Sequence, residues 1–230
     1  MYILGIETST TTGSVAVISE DGVVAQYSLN IEVTHSERLM STVDRVLKDT
    51  GLTMADMDGY AVAIGPGSFT GLRIGLAAVK GLALVSGKPI AAVPTLKALA
   101  WNLPYASYPV CPMLDARKNE VYAATYWFEG TTLVHGMAEA VLSLSLLSER
   151  ISGKTIFTGE ASHLFRKEIV SMFGERALFA PRAAILPSAA IVAEIGLDMI
   201  RSGKQADPDN LTPMYIRRPE AEVAWEKKAQ

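Results

Sequence analysis

A glycine-rich junction between two apolar stretches constrains the fold more than any other feature of this sequence. Residues 60–64 are uniformly apolar and predict a buried strand, and residues 70–86 predict a long helix. Between them, Gly65, Pro66 and Gly67 are typical of the tight turn that a change from strand to helix requires. Two interpretations stay open: the loop cradles a phosphate at the helix start, or it is a sharp turn beneath a closely packed helix. The loop lacks both common nucleotide-binding glycine spacings, so we favour the turn.

The predicted helix at residues 70–86 is apolar on nearly every side. Lys80 is nearly its only charge after Arg73, and a helix of this kind is buried either in a core or in an interface. Gly75 and Gly81 lie inside it, although glycine in a helix interior costs about 0.5–1 kcal/mol relative to alanine. Small residues at three- and four-residue spacing let another backbone approach closely. We therefore expect tight helix packing, either within the chain or with another chain.

Composition narrows the class of protein. A chain of 230 residues with 49% apolar and 20% charged residues can bury a large core without disulfides or metals. The net charge of −3 provides no global basic field that would capture nucleic acid. The single cysteine, Cys111, excludes an internal disulfide and is compatible with a reducing compartment. We expect a cytoplasmic protein, because no signal peptide opens the chain and its most apolar stretch is interrupted by Lys80 and Lys88.

The order of the predicted elements indicates two copies of one mixed α/β unit. Three strands joined by tight turns come first, followed by helix, strand, helix, strand and helix up to about residue 102. After a break with two prolines at residues 104–109, the pattern repeats imperfectly. Such a pattern fits two lobes with a cleft between them. We predict an N-terminal lobe at residues 1–105 and a smaller C-terminal lobe at residues 106–230, with a surface tail from about residue 204.

An acid ends the first strand of each predicted lobe. Glu7 precedes a row of hydroxyl residues, and Asp115 precedes Ala116 and Arg117. For Asp115 two interpretations remain open: a functional acid whose pKa is lowered by the guanidinium, or a surface ion pair of little energetic value. The chain has three histidines, and no two have the i, i+4 spacing of a helical metal site. We therefore expect no metal site.

Four segments together resemble the TsaB (YeaZ) family. They are residues 5–9, 65–75, 115–122 and 213–217, and they occur in family order across essentially the whole chain. The second of them is the most specific. The resemblance implies the actin/Hsp70/sugar-kinase (ASKHA) fold. It also implies membership of the complex that places a threonylcarbamoyl group on the adenosine just 3′ of the anticodon, in tRNAs that read codons beginning with A.

The resemblance implies a non-catalytic scaffold and not an enzyme. In the family, helices matching residues 35–49 and 70–86 pack against TsaD, the paralogous catalytic subunit, or form homodimers in its absence. TsaD-like proteins hold a metal with a histidine pair, and the matching positions here are Thr95 and Leu99, which cannot ligate as histidine does. The resemblance further implies docking of a P-loop ATPase, TsaE, and contact with tRNA only through the complex, with no membrane.

The same resemblance implies where partners and ligands bind. We expect a partner interface on the two helices, at Leu39, Val43, Arg73, Ile74, Gly75, Ala77, Ala78 and Gly81. Fold relatives bind nucleotide phosphate where the first strand ends, which makes Glu7, Thr8 and Ser9 candidates for a residual nucleotide site. The alternative, which we favour, is a hydroxyl-rich turn that bonds its own backbone. We expect no cofactor of the chain's own, with ATP or ADP as a candidate at the complex interface.

Two other classes of function stay open at this stage. One is an ATP-binding or ATP-hydrolysing small-molecule kinase of the same fold. The other is a stand-alone tRNA-binding module, which the acidic composition disfavours.

Overall fold

The first lobe is built on a five-stranded sheet whose strands follow the order β3-β2-β1-β4-β5. The computed structural model describes residues 1–30 and 35–217. The strands are β1 (Ile3–Glu7), β2 (Thr12–Ser19), β3 (Gly22–Asn30), β4 (Gly59–Gly65) and β5 (Ile90–Pro94). The first three form an antiparallel meander, whereas β4 and β5 run parallel to β1. All five strands were predicted from the sequence, and the structure confirms them.

Two long helices cover one face of this sheet: α1 (His35–Thr50) and α2 (Phe69–Ser86). The apolar stripe of α1, which includes Leu39 and Val43, packs with Leu76 and Val79 of α2 over the sheet. By length and composition, α2 could also cross a membrane, but core helices of soluble proteins pass the same test. One side of α2 packs on β4 and β1, which is the arrangement of a core helix.

The other face of the first sheet is covered from far along the chain. The helix α7 (Ala189–Arg201) packs on β1, β2, β4 and β5. It lies so close that a side chain at Gly5 would overlap with Ala189 and Ala193. The predicted boundary at residue 105 therefore describes only the first crossing between lobes, because the chain returns to the first lobe near residue 188.

The second lobe contains a seven-stranded sheet and three short helices. Its main path follows the order β10-β7-β6-β11-β12, and the β8–β9 hairpin attaches to β6. The elements are β6 (Val110–Asp115), β7 (Glu120–Ala123), β8 (Tyr126–Glu129), β9 (Thr132–His135), β10 (Ala140–Ser143), α4 (Leu144–Arg150), β11 (Thr155–Thr158), α5 (Glu160–Leu164), α6 (Arg166–Phe173) and β12 (Ala177–Phe179).

The sequence prediction was less accurate in this lobe. The partial alternation of residues 120–127 predicts one strand, but the structure has two, because β7 pairs with β10 whereas β8 pairs with β9. The sequence also predicts a single helix from about residue 161 to 173, whereas in the structure this segment breaks at Phe165 into α5 and α6.

A shared apolar cluster joins the lobes. The short helix α3 (Thr95–Trp101) contributes Leu96 and Leu99, which pack with Val110 and Tyr126 of the second lobe. The side-chain amide of Asn102 adds hydrogen bonds to the carbonyl oxygens of Ala184 (3.3 Å) and Leu186 (3.0 Å). The lobes are therefore held together on the α3 side by buried apolar surface.

The predicted surface tail is partly wrong. The Ala206 N–H donates to the carbonyl of Ile90 (2.7 Å), and Leu211 is buried in the first lobe's core. The segment up to Arg217 then runs past α2 to the second lobe. Residues 218–230, also part of that prediction, lie outside the described residues.

Candidate functional site

The β4–α2 loop packs directly on the turn that follows β1. The Ser68 N–H donates to the carbonyl of Ser9 (2.6 Å), and the Ser68 hydroxyl caps α2 by accepting from the Gly71 N–H (3.3 Å). A side chain at Gly67 would overlap with the Ser9 backbone, and one at Gly65 would meet the Met214 carbonyl at 2.8 Å. Both glycines have positive φ angles. These contacts agree with a tight turn beneath a closely packed helix.

Glu7 lies fully enclosed at the end of β1. One carboxylate oxygen, Oε1, accepts the Ser9 N–H (2.5 Å), while Oε2 and the Ser9 hydroxyl have no hydrogen-bond partner among the described residues. Burial raises the pKa of Glu7 to about 7, against the opposing effect of the hydrogen bond from Ser9. The Thr8 hydroxyl donates to the Gly71 carbonyl of α2 (2.8 Å). Glu7, Thr8 and Ser9 are thus brought together, buried, against the start of α2.

The corresponding acid of the second lobe is more open. One oxygen of Asp115 accepts the Arg117 N–H (2.8 Å) and the other lies 3.3 Å from the Arg117 guanidinium, whose side chain is 85% exposed. This geometry favours the surface ion pair. Nearby Glu160, at the start of α5, has a pKa raised first by burial and then by the charge of Asp115.

The residues considered for metal binding are dispersed or covered. Among the side chains that the structure describes, no three His, Cys, Asp or Glu residues gather as a metal site. Thr95 and Leu99 do lie one turn apart on α3, as predicted, and both are buried. Cys111 is buried as well, and burial raises the pKa of its thiol.

The residues of the predicted partner interface lie in three different environments. Leu39 and Val43 are buried in the first lobe's core, and Gly75 faces the Thr8 hydroxyl inside the monomer. Ile74 and Ala78 are half-buried. The exposed members, Arg73, Ala77 and Gly81, lie on one side of α2.

Two large apolar residues on the same side of α2 are not among the predicted interface residues. Leu84 is 86% exposed and Val85 is 89% exposed. They follow Gly81 at three- and four-residue spacing, so helical periodicity alone would have placed them beside it. We call this side the outer face of α2 and define it as Arg73, Ala77, Gly81, Leu84 and Val85.

Comparison with known proteins supports one family over the full chain. The family model for TsaD, tRNA N6-adenosine threonylcarbamoyltransferase, matches residues 22–225. The chain is 34% identical to the tRNA threonylcarbamoyladenosine biosynthesis protein TsaB of Escherichia coli, covering 99% of this chain and 98% of that protein. It is 32% identical to the Bacillus subtilis protein of the same name, covering 98% of both.

Solved structures give the same result. YeaZ from Pseudomonas aeruginosa superimposes with a TM-score of 0.77 at 26% identity, covering 93% of this chain and 99% of that one. A ROK hexokinase from Thermus thermophilus shares the fold alone, with a TM-score of 0.50 at 10% identity over 87% of this chain and all of the hexokinase.

Two mixed sheets, flanked by helices and joined by a shared apolar cluster, define a protein of the ASKHA fold class. The matches over nearly its whole length then place it more narrowly. The chain belongs to the TsaB (YeaZ) family.

Proposed function

We propose that this chain is a non-catalytic subunit in tRNA threonylcarbamoyladenosine biosynthesis, which binds and activates a TsaD-like catalytic subunit. The relatives that it matches over nearly their whole length are named for that biosynthesis. The observation that carries the proposal is the outer face of α2. A soluble protein that exposes adjoining Leu and Val side chains beside a row of small residues has a surface suited to another protein.

The shape of this face suits a helix as its partner. Ala77 and Gly81 are one turn apart and both exposed, so a second helix can approach the α2 backbone closely there. Leu84 and Val85 extend the surface toward the C-terminal end of α2, and Met40 of the neighbouring α1 is also exposed. A TsaD-like paralogue would cover this surface. A second copy of this chain would cover it when the paralogue is absent.

The state of the first strand end supports a non-catalytic role. Glu7, Thr8 and Ser9 are buried, and they bond within their own turn or to Gly71. A kinase or ATPase of this fold needs that position open to phosphate. We therefore propose no cofactor for the chain itself, with ATP or ADP at the complex interface. In this proposal a TsaE-like ATPase docks on the complex, tRNA contacts the chain only through the complex, and the chain works in the cytoplasm.

A tryptophan on the outer face of α2 tests the proposal. Ala77→Trp places a large ring where close helix approach is required, while Ala77 itself is exposed and the monomer fold should be unaffected. We expect the dissociation constant for the TsaD-like subunit to rise about tenfold or more, measured by sedimentation velocity. Ser171→Trp, at an exposed position on α6, is the matched control.

The outcome is informative in both directions. If Ala77→Trp co-sediments with the TsaD-like subunit at wild-type affinity, the outer face is not the interface and the proposal fails. Hydrolysis of ATP by the isolated chain, measured in the same preparations, would favour the alternative of an ATP-dependent enzyme of the same fold.

A further inference from the structure

We propose that residues 211–217, here called the strap, form an intramolecular latch that couples the start of α2 in the first lobe to the β6–β7 hairpin in the second. The strap contacts both lobes within a few residues of chain. It lies beside the ends of β4 and β6.

The first-lobe end of the latch combines backbone and aromatic contacts. The Met214 N–H donates to the carbonyl of Ile64 at the end of β4 (2.7 Å). The ring of Tyr215 stacks on Phe69, with centroids 5.1 Å apart and planes inclined by 28°. Arg73 completes this end: its guanidinium lies 3.8 Å from the centre of the Phe69 ring, and its Nε–H donates to the Tyr215 hydroxyl (2.9 Å).

The second-lobe end is made by one guanidinium. Nη1 of Arg217 donates to the carbonyl of Ala116 (2.5 Å), and Nη2 forms an ion pair with Glu120. Ala116 and Glu120 are themselves joined across the hairpin, since the Ala116 N–H donates to the Glu120 carbonyl (3.0 Å). Both charged side chains are partly buried, which strengthens the pair relative to a fully exposed one.

The two ends are joined by a very short piece of chain. Only Ile216 separates Tyr215 from Arg217, and an extended chain spans roughly 3.3–3.6 Å per residue. Little slack is therefore available between the aromatic stack and the guanidinium. In addition, residues 117, 118 and 119 of the hairpin all have positive φ angles, so the segment that Arg217 holds adopts a conformation that non-glycine residues seldom take.

The distinguishing test is whether a change at the first-lobe end loosens the second-lobe end. Tyr215→Ala removes the stacking on Phe69 and the hydrogen bond from Arg73, both at the first-lobe end. We expect this variant, and Arg217→Ala, to raise the hydrogen-exchange rates of the Ala116 and Glu120 amides about fivefold or more in the full chain. Tyr215→Phe keeps the ring and should have a smaller effect. Arg150→Ala, an exposed arginine on α4 in the same lobe, is the matched control and should leave these rates unchanged.

Two results would overturn the latch. In one, Tyr215→Ala accelerates exchange only in residues 64–73 while the hairpin amides keep their wild-type rates. In the other, Arg217→Ala leaves the hairpin amides unchanged. Unchanged exchange in β11 of each variant verifies that the second lobe is still folded. If Arg217→Ala fails that check, Glu120→Gln removes the ion pair alone and is judged by the same criterion.

Discussion

The two faces of α2 put similar residues to opposite uses. On the inner face, Gly75 lies directly against the Thr8 hydroxyl, and Leu76 is buried in the core. On the outer face, Gly81 has open space beyond its Cα, and Leu84 is almost wholly exposed. The difference shows that the fold requires small or apolar residues on the inner face of this helix. Packing within the monomer does not explain the small and apolar residues on the outer face.

A matched pair of leucines should give the largest difference between the faces. Leu76→Ala opens a cavity in the core of the first lobe and should lower the free energy of unfolding by about 2–5 kcal/mol. Leu84→Ala removes a side chain that is already in water and should leave stability within about 0.5 kcal/mol of wild type. Urea denaturation followed by circular dichroism measures both. Comparable losses for the two variants would contradict the assignment of the faces.

The pH dependence of stability tests the protonation of Glu7, the buried acid beneath the inner face. Because folding raises the pKa of Glu7 from 4.5 to about 7, the native state binds more protons than the unfolded state between these values. The contribution of Glu7 to the free energy of unfolding should therefore be complete below pH 4.5. It should decrease by roughly 3 kcal/mol as the pH rises from there through 7.

Glu7→Gln isolates this contribution, since glutamine has nearly the same shape and cannot ionise. The difference in stability between variant and wild type, measured by urea denaturation from pH 5 to 8, should grow in favour of the variant as pH rises. A difference that stays constant over this range would mean that Glu7 does not titrate there.

Alanine substitutions at a matched pair of glycines should change stability by smaller amounts and in opposite directions. Alanine at position 75 overlaps with the Thr8 hydroxyl, which is held by its bond to Gly71, and should cost about 1–3 kcal/mol. Alanine at position 81 meets nothing and should raise stability by about 0.5–1 kcal/mol, because it removes the helix penalty of glycine. Thermal denaturation of Gly75→Ala and Gly81→Ala would show the sign of each change; a stabilised Gly75→Ala would disprove the close contact.

Local patterns in the sequence were enough for most of the first lobe. The alternation of apolar runs and turn residues predicted its strands, and the apolar spacing of α1 and α2 predicted both helices. The two-lobed α/β class followed from the repeat of that order. The acids at Glu7 and Asp115 were also located correctly, because each follows an apolar strand.

What the sequence could not provide were the contacts between distant residues. Helical periodicity places Gly75 and Gly81 on different faces of α2, but it does not tell which face packs on the sheet; the contact between Gly75 and Thr8 does. The apolar stripe of α7 indicates burial but carries no information on which sheet it covers. Arg217 reads as part of a charged tail until the hairpin at Ala116 is placed beside it.

The return of α7 to the first sheet affects how this protein can be made. The strands of that sheet end at residue 94, yet the helix that covers their second face begins at residue 189. The whole second lobe must therefore be synthesised before the core of the first lobe can be completed. Until then the nascent sheet exposes a surface lined mainly by alanine and isoleucine to solvent. A fragment that ends after residue 105 would keep this surface exposed, and we expect chaperones to bind it or proteases to degrade it.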